Sequence, residues 1–219
     1  MPPSRARRPL SKERVLDAAI AVADRGGVES ITMRRVAQEL GVEAMSLYHH
    51  VPNKEAILDG VVDRVFEEIE MPDLDGAADW RDNLRSRARS TREVLSRHRW
   101  ALGLMDSRRN PGPATLRHHD AVLGVLRRAG FTLPMTAHAV SVLDSYVGGF
   151  VLQESALPAT TGDELEEVAK GILEEVPGDA LPYLRELIED HALDPGYDPL
   201  SEFDAGLELI LDALDQQLN

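Results

Sequence analysis

Apolar residues recur at intervals of three and four along most of the chain, and proline and glycine separate the periodic segments. No segment shows the sustained alternation of apolar and polar residues that is typical of a β-strand. The pattern therefore predicts an all-α fold. The predicted helices span about residues 12–26, 32–40, 44–50, 53–70, 80–99, 100–107, 113–128, 134–156, 163–176, 182–193 and 200–218.

Residues 31–58 predict two short helices, a tight turn and the start of a third helix. Thr32 is a good N-cap for the first helix, and Gly41 can adopt the left-handed conformation that ends it. Leu47 ties the second helix to the core, and Asn53 is a good N-cap for the next one. This order is typical of a helix-turn-helix, in an N-terminal domain of three helices that binds DNA.

The second helix of this motif leaves apolar and aromatic side chains, Met45 and Tyr48, facing outward. Such a face is costly in water, whereas a DNA major groove about 12 Å wide accepts it. An ordinary helical hairpin is the alternative interpretation. We expect Arg34 and the face from Ala44 to His49 to meet base edges. The residues predicted to contact bases or phosphates are Thr32, Arg34, Arg35, Ala44, Met45, Ser46, Tyr48, His49, His50 and Lys54.

Charge is distributed unevenly along the chain, whose net charge is −14. Residues 1–54 contain nine Lys and Arg against six Asp and Glu, whereas the rest contains fifteen against thirty-two. The basic end can therefore dock on phosphates while the acidic body stays away from them. Arg5, Arg7 and Arg8 form an N-terminal arm that could reach the DNA minor groove or could simply be a disordered start.

We predict a DNA-binding domain over residues 1–55 and a larger helical-bundle domain for effector binding and dimerisation over residues 56–219, with the helix at 53–70 connecting them.

The chain contains no cysteine, and no apolar run of signal-peptide length follows its basic start. No segment reaches the roughly 18 consecutive apolar residues of a transmembrane helix. We therefore expect a cytoplasmic protein without membrane contact.

Three segments resemble a known family of regulators. TMRRVAQELGV and LYHHVPNKEAILDGV look like the signature of TetR-family transcriptional regulators, and FDAGLELILDALDQQL resembles the last helix of the tetracycline-repressor branch. The resemblance implies a homodimeric repressor that binds a palindromic operator and is released by a small molecule. It also implies that the helix after Asn53 transmits the ligand signal.

Two helices, at about 134–156 and 200–218, are apolar over more than one face and need more than one partner. The family resemblance places a four-helix dimer interface in these segments. Burial in the core of a single chain is the competing explanation. The predicted interface residues are Val147, Val151, Leu207, Ile210, Leu211 and Leu214.

The effector-binding residues are harder to predict. Aligned on the Tet repressor, the polar positions that handle tetracycline correspond to Arg87 and Thr91, while two of its metal-site positions correspond to Met105 and Gln153. A magnesium–tetracycline inducer is therefore not expected. We predict a mostly apolar effector with a few hydrogen-bonding groups, although each lining residue could simply belong to the core. The predicted lining is Thr91, Leu95, His98, Met105, His138, Tyr146 and Phe150.

The sequence leaves two alternative functions. A helical hydrolase or metalloprotein could use His98, His118 or His138, but the chain contains no HExxH, CxxC, Walker or GxSxG motif. We therefore predict no catalytic residue, metal site or cofactor. The other alternative is a DNA-binding regulator or architectural protein without small-molecule control.

An arginine row over residues 81–92 admits two interpretations. It could form a second nucleic-acid site, or a solvated face that pairs with the surplus carboxylates of this region. The row consists of Arg81, Arg85, Arg89 and Arg92.

Overall fold

The protein is described by a computed structural model, which covers residues 9–76, 78–105, 107–108, 110–156, 162–175, 180–194, 197 and 201–218. Within this part of the chain the regular elements are helices, as the periodicity predicts. They are α1 Lys12–Gly26, α2 Met33–Leu40, α3 Ala44–Leu47, α4 Lys54–Glu68, α5 Trp80–Arg97, α6 Leu102–Met105, α7 Pro113–Arg128, α8 Leu133–Ala156, α9 Gly162–Glu175, α10 Pro182–Leu187 and α11 Ser201–Asp215. Short 3-10 turns occupy Val28–Ser30 and Arg99–Ala101, and a π-helical turn occupies Ile188–Ala192.

The helix ends follow the capping residues of the sequence. The side-chain oxygen of Asn53 accepts a hydrogen bond from the amide of Ala56 at 2.9 Å, which satisfies one of the free N–H groups at the start of α4. Gly27 and Gly41 follow α1 and α2 with φ values of 73° and 66°, a region that favours glycine. The predicted caps at Thr32, Gly41 and Asn53 are therefore confirmed. The side-chain N-caps are Ser11 for α1, Thr32 for α2, Asn53 for α4 and Asp79 for α5.

The core of the N-terminal region lies between α1 and α4, with α2 packed against α1 and α3 packed against α2. Gly60 of α4 lies against Leu16 of α1 so closely that a Cβ at Gly60 would be 2.6 Å from a Leu16 methyl carbon. This contact holds the two helices at short range. The fully buried residues of this core include Val15, Ala19, Ile31, Val36, Leu47, Ile57 and Val61.

Helix α4 is attached to its surroundings along its whole length. Near its start, Arg108 bonds to Glu55 at 2.8 Å. In its middle, the carboxylate of Asp63 accepts hydrogen bonds from the amide of Thr115, at 2.8 Å, and from its hydroxyl, at 3.0 Å. Because α7 has no side-chain cap of its own, Asp63 caps this helix from outside. Helix α4 thus contacts both α1 and α7.

The chain divides into two compact units, Met1–Val147 and Gly148–Asn219. This division does not follow the predicted domain boundary at residue 55/56, because α4 packs on helices from both sides of it. In the second unit, Phe203 is buried and its ring meets that of Phe150 edge-on at 5.1 Å. The predicted functional boundary stays a prediction.

Helix α8 corrects one expectation. Its 24 residues are long and apolar enough to cross a membrane by length and composition alone, although no run of consecutive apolar residues reaches this length. A search for runs of consecutive apolar residues does not find this helix, because isolated polar residues such as Asp144 interrupt its apolar sequence. Only 28% of its most apolar 18-residue window is buried. One such helix is weak evidence for a membrane span, since the core helix of a soluble protein and a signal sequence pass the same test.

Candidate DNA-binding surface and helical body

The turn between α2 and α3 has the geometry of a helix-turn-helix. Gly41 is left-handed, and its amide bonds to the carbonyls of Ala37 and Gln38. The next amide, that of Val42, bonds to the Ala37 carbonyl at 3.0 Å, which closes the end of α2 tightly. Ala37 is 2% exposed, as expected for a small residue where two helices cross closely. The sequence prediction for this turn is confirmed.

Helix α3 is shorter than predicted. Regular α-helix covers only Ala44–Leu47, and residues 48–50 continue as a turn instead of reaching His50 as helix. The amides of His50 and Val51 both bond to the Leu47 carbonyl at 2.9 Å, so the last turn tightens before Pro52. Leu47 and Val51 are buried and fix this segment on the core.

The predicted DNA contacts are all accessible. Met45 is 73% exposed and Tyr48 is 47% exposed, although both carry large apolar surfaces. Ala44, Ser46, His50 and Lys54 are half-buried. The remaining members of the set are exposed, namely Thr32, Arg34, Arg35 and His49.

The start of α2 adds backbone donors to this surface. Thr32 accepts a hydrogen bond from the amide of Arg35 at 3.2 Å, and its side chain remains exposed. The first amides of a helix point outward and favour a negatively charged group. The Arg5, Arg7 and Arg8 arm lies outside the described residues.

The predicted effector residues differ in how far they are buried, and they do not all belong to the same compact unit. Thr91 and Leu95 are buried in α5, and Met105 and Tyr146 are half-buried. Phe150 belongs to the second compact unit and is also half-buried. His138, by contrast, is exposed.

His98 is buried, and it lies in a polar contact between helices. Its Nδ1 lies 2.8 Å from Oδ1 of Asp24 in α1, and its Nε2 lies 3.3 Å from Oε2 of Glu68 in α4. Its side chain therefore joins the helices of the N-terminal region to the end of α5. Its assignment to the effector pocket stays a prediction. Two partners 74 and 30 residues away leave no local signal in the sequence.

A polar cluster joins α5, α7 and α8, with Arg87 and His118 buried and Asp144 exposed. The Nε of Arg87 donates to Nε2 of His118 at 3.0 Å, and Nη2 of Arg87 bonds to Asp144 at 2.7 Å. Because Arg87 can only donate, His118 accepts at Nε2 and carries its proton on Nδ1. Burial, and next the Arg87 charge, lower the pKa of His118 to about 4. Nδ1 of His118 has no hydrogen-bond partner among the described residues.

The position of Arg87 in the sequence indicates its burial, although an arginine is usually expected at the surface. Arg87 shares the helical spacing of the buried residues Leu84, Thr91 and Leu95 on α5. An arginine at a core position indicates a buried ion pair or a ligand contact. The sequence alone suggests only a catalytic or metal-binding role for His118, because its partner Arg87 comes from another helix.

The arginine row lies beside carboxylates. Arg85 forms an ion pair with Asp82, and Arg81 lies 5.9 Å from the centre of the Trp80 ring. The groove that contains Arg85 and Arg89 is also lined by Glu70, Asp82 and Glu93. This mixture of charges favours a solvated, paired face over a second nucleic-acid site.

The structure places most of the predicted dimer residues in the core of the single chain. A second copy gains little from side chains that the chain itself already covers. The competing explanation, core burial, therefore applies to them, and only Ile210 is half-buried. The others are at most 7% exposed: Val147, Val151, Leu207, Leu211 and Leu214.

No group of three His, Asp or Glu side chains in the described part of the chain is arranged to hold a metal ion.

Comparison with known proteins decides the family. Residues 15–61 match the family model "Bacterial regulatory proteins, tetR family", and residues 71–218 match "Tetracyclin repressor-like, C-terminal domain". The chain belongs to the TetR family. The resemblance seen in the sequence is confirmed at both ends.

Relatives within the TetR family cover nearly the whole chain. An HTH-type transcriptional repressor of Streptomyces coeruleorubidus is 37% identical over 97% of this chain and 80% of its own length. The class A tetracycline repressor from transposon 1721 of Escherichia coli is 32% identical over 94% of this chain and 90% of its own length. The crystal structure of the Streptomyces coelicolor TetR family protein ActR in complex with actinorhodin has a TM-score of 0.75, at 29% identity over 97% of this chain and all of that one. The protein is thus a DNA-binding transcriptional regulator.

Proposed function

We propose that the protein is a homodimeric repressor that binds a palindromic operator and leaves it when a small molecule binds the helical body. The observation that carries the DNA-binding part is the exposed surface around α3, where Met45 is 73% exposed on a segment anchored by buried Leu47. The TetR-family membership supports repression, since the two relatives described above are repressors. The protein then acts where the chromosome is, in the cytoplasm, and it has no enzymatic activity.

Contacts to bases and phosphates divide between the helices. Arg34 is exposed near the start of α2, and its guanidinium can bind guanine O6 and N7 at once. Met45 supplies an apolar contact for a thymine methyl group. Lys54, at the start of α4, binds a phosphate without reading sequence. Specificity thus comes from the side chains around the α2–α3 turn, while the acidic body keeps non-specific binding weak.

The dimer forms through α8 and α11, by residues other than those first predicted. Leu152 of α8 is 63% exposed and Leu209 of α11 is 73% exposed. These large side chains lie on the two helices expected in the interface, and the low burial of α8 leaves apolar surface for a partner. A two-fold dimer places two α3 segments about 34 Å apart, or at a multiple of this distance, which suits an inverted repeat.

The effector is a small, mostly apolar molecule with a few hydrogen-bonding groups. The ActR complex with actinorhodin supports a small-molecule effector for this body. A magnesium–tetracycline complex is not proposed, because Met105 and Gln153 stand where metal-site residues of the Tet repressor were expected. A thioether and an amide are poor ligands for magnesium.

The first experiment is the selection of random-sequence DNA duplexes on the purified protein at about 0.15 M salt, followed by sequencing of the retained pool. We expect an inverted repeat to be enriched. A folded protein that enriches no sequence contradicts the operator proposal. The recovered operator then serves as the probe in a screen for compounds that release it, in which the absence of any releasing compound favours a regulator without small-molecule control.

A further inference from the structure

His118 of α7 carries a buried hydrogen-bond donor. The residue is fully buried, and its Nδ1 has no hydrogen-bond partner among the described residues. Its Nε2 accepts the Nε–H of Arg87 at 3.0 Å, so the ring proton lies on Nδ1. A buried N–H without an acceptor destabilises the protein that contains it. Such a group calls for an acceptor from outside the chain.

The His118 ring presents this donor without a positive charge. Burial, and next the Arg87 charge, lower the pKa of His118 to about 4, so the ring is neutral near neutral pH. The two nitrogens lie on opposite edges of the imidazole, and Nδ1 therefore points away from the Arg87 guanidinium. The ring centre of Phe66 in α4 lies 5.7 Å from that of His118, but an aromatic ring is only a weak acceptor.

The charges around His118 are already balanced. Nη2 of Arg87 lies 2.7 Å from Oδ1 of Asp144, which engages the cation next to His118. An anionic ligand group would have to be buried beside an ion pair that is already complete, and this is costly. An uncharged carbonyl oxygen avoids this cost. It accepts from Nδ1–H and brings no donor that would need a partner of its own.

The cluster adjoins the part of the body assigned to the effector. Thr91, one of the predicted effector residues, lies one turn after Arg87 on α5, and its hydroxyl donates to the Arg87 carbonyl at 2.8 Å. Toward α8 the cluster reaches solvent, since the Asp144 side chain is 42% exposed and that of Arg87 only 5%. Phe66 and the members of the cluster belong to the same compact unit. Arg87 and His118 thus add a polar contact to the lining predicted from the sequence.

We propose that His118 is a binding residue for the effector and donates from Nδ1 to an uncharged carbonyl oxygen of that molecule. This proposal rests on the proposed small-molecule control, and it narrows the effector to a ketone, quinone, ester or amide on a mostly apolar frame. Arg87 is the positioning residue, because its bond to Nε2 fixes the tautomer and the orientation of the ring.

The test compares two rigid probes of nearly the same shape. 9-Fluorenone carries a carbonyl where fluorene carries a methylene group. Equilibrium dialysis against the purified protein, without DNA, measures the affinity of each probe. We expect fluorenone to bind about tenfold more tightly, which is the gain from satisfying one buried donor. Fluorene-9-carboxylate should bind more weakly than fluorenone. Equal affinities for fluorenone and fluorene, tighter binding of the carboxylate, or no binding of fluorenone overturns the proposal.

His118→Gln removes the Nδ1 donor and keeps an acceptor for Arg87. The introduced amide oxygen can take the place of Nε2, so the ion pair between Arg87 and Asp144 remains. We expect this variant to bind fluorenone and fluorene equally well. His119→Gln is the matched control, since Nδ1 of His119 already lies 2.8 Å from the Thr115 carbonyl oxygen. It should keep the preference for the ketone. A preference that survives His118→Gln, or that is lost in His119→Gln, contradicts the assignment.

NMR of the unmodified protein labelled with ¹⁵N-histidine gives a readout that needs no variant. The His118 ring should carry a proton on Nδ1 and none on Nε2. Fluorenone should move the Nδ1–H proton signal to lower field, as a new hydrogen bond does, and fluorene should not. A signal that stays in place with saturating fluorenone would show that a trapped water alone satisfies this donor, and it overturns the proposal.

The selected operator separates this inference from the proposed function. Compounds that release the operator without moving the His118 signal would support small-molecule control and overturn the role of His118. Binding of fluorenone at His118, together with an operator that no compound releases, would reject small-molecule control and leave His118 as a carbonyl-binding site.

Discussion

Asp63 of α4 caps a helix to which it does not belong, and this contact yields a quantitative prediction. Its Oδ1 accepts from both the amide and the hydroxyl of Thr115, a residue that is 6% exposed. Asp63→Ala removes an N-cap worth about 1 kcal/mol and leaves buried donors unpaired, at a cost of about 1–3 kcal/mol. We expect a loss of about 1–3 kcal/mol in the free energy of unfolding. Asp63→Asn keeps an accepting oxygen and should lose less.

A substitution at Gly112, the residue before α7, should disturb the same contact between Asp63 and Thr115. A Cβ at Gly112 would lie 2.2 Å from the Asp63 carboxyl carbon, so Gly112→Ala must displace this carboxylate. We expect a loss similar to that of Asp63→Ala. In the Asp63→Ala background there is no carboxylate for the new Cβ to displace. Gly112→Ala should then lower the free energy of unfolding by less than about 1 kcal/mol, which is the cost of replacing glycine by alanine at an N-cap.

Urea unfolding followed by circular dichroism at 222 nm measures all four members of this double-mutant cycle at one protomer concentration. The expected coupling energy is about 1–2 kcal/mol, since each single change abolishes the same cap. Losses that add within about 0.5 kcal/mol would refute the reasoning. They would show that Gly112→Ala acts through another contact or that the cap contributes nothing.

Three further predictions concern DNA binding, assembly and pH. Arg34→Ala should cost about 1–3 kcal/mol on the operator and relax sequence preference, whereas Lys54→Ala should weaken all duplexes alike; equal losses on operator and random DNA for Arg34→Ala would remove it from base reading. Leu209→Glu should shift sedimentation toward monomer while helicity remains, and an unchanged dimer would exclude Leu209 from the interface. Because the pKa of His118 is lowered to about 4, its contribution to stability is complete above the ordinary pKa of 6.5 and is lost as pH falls toward 4. His118→Gln should reduce the acid-induced loss of stability in urea titrations, and an identical pH profile would contradict the lowered pKa.

Local features of this fold could be predicted because their causes are local. The caps at Thr32 and Asn53 and the left-handed Gly41 depend on residues within one helical turn, and the structure confirms each of them. The same reasoning overestimated α3, because the length of a short helix depends on how Leu47 and Val51 are buried and not on helix propensity alone.

Contacts that depend on distant partners could not be predicted. The two partners of His98, Asp24 and Glu68, approach it from other helices. The inner and outer faces of α11 were also interchanged, since Leu207 and Leu211 are buried while Leu209 is exposed. A helix that is apolar on several faces gives no signal in its sequence for which face the same chain covers.

The close contact between Leu16 and Gly60 has a consequence for protein engineering. Helices α1 and α4 have interlocking surfaces with no space for another methyl group at Gly60. An engineered chain should therefore take both helices from the same parent protein. A chimaera that exchanges DNA specificity between two TetR-family members should therefore be joined after α4 and not at residue 55. A junction at residue 55 would combine α1 of one parent with α4 of the other, and the fit between them would be left to chance.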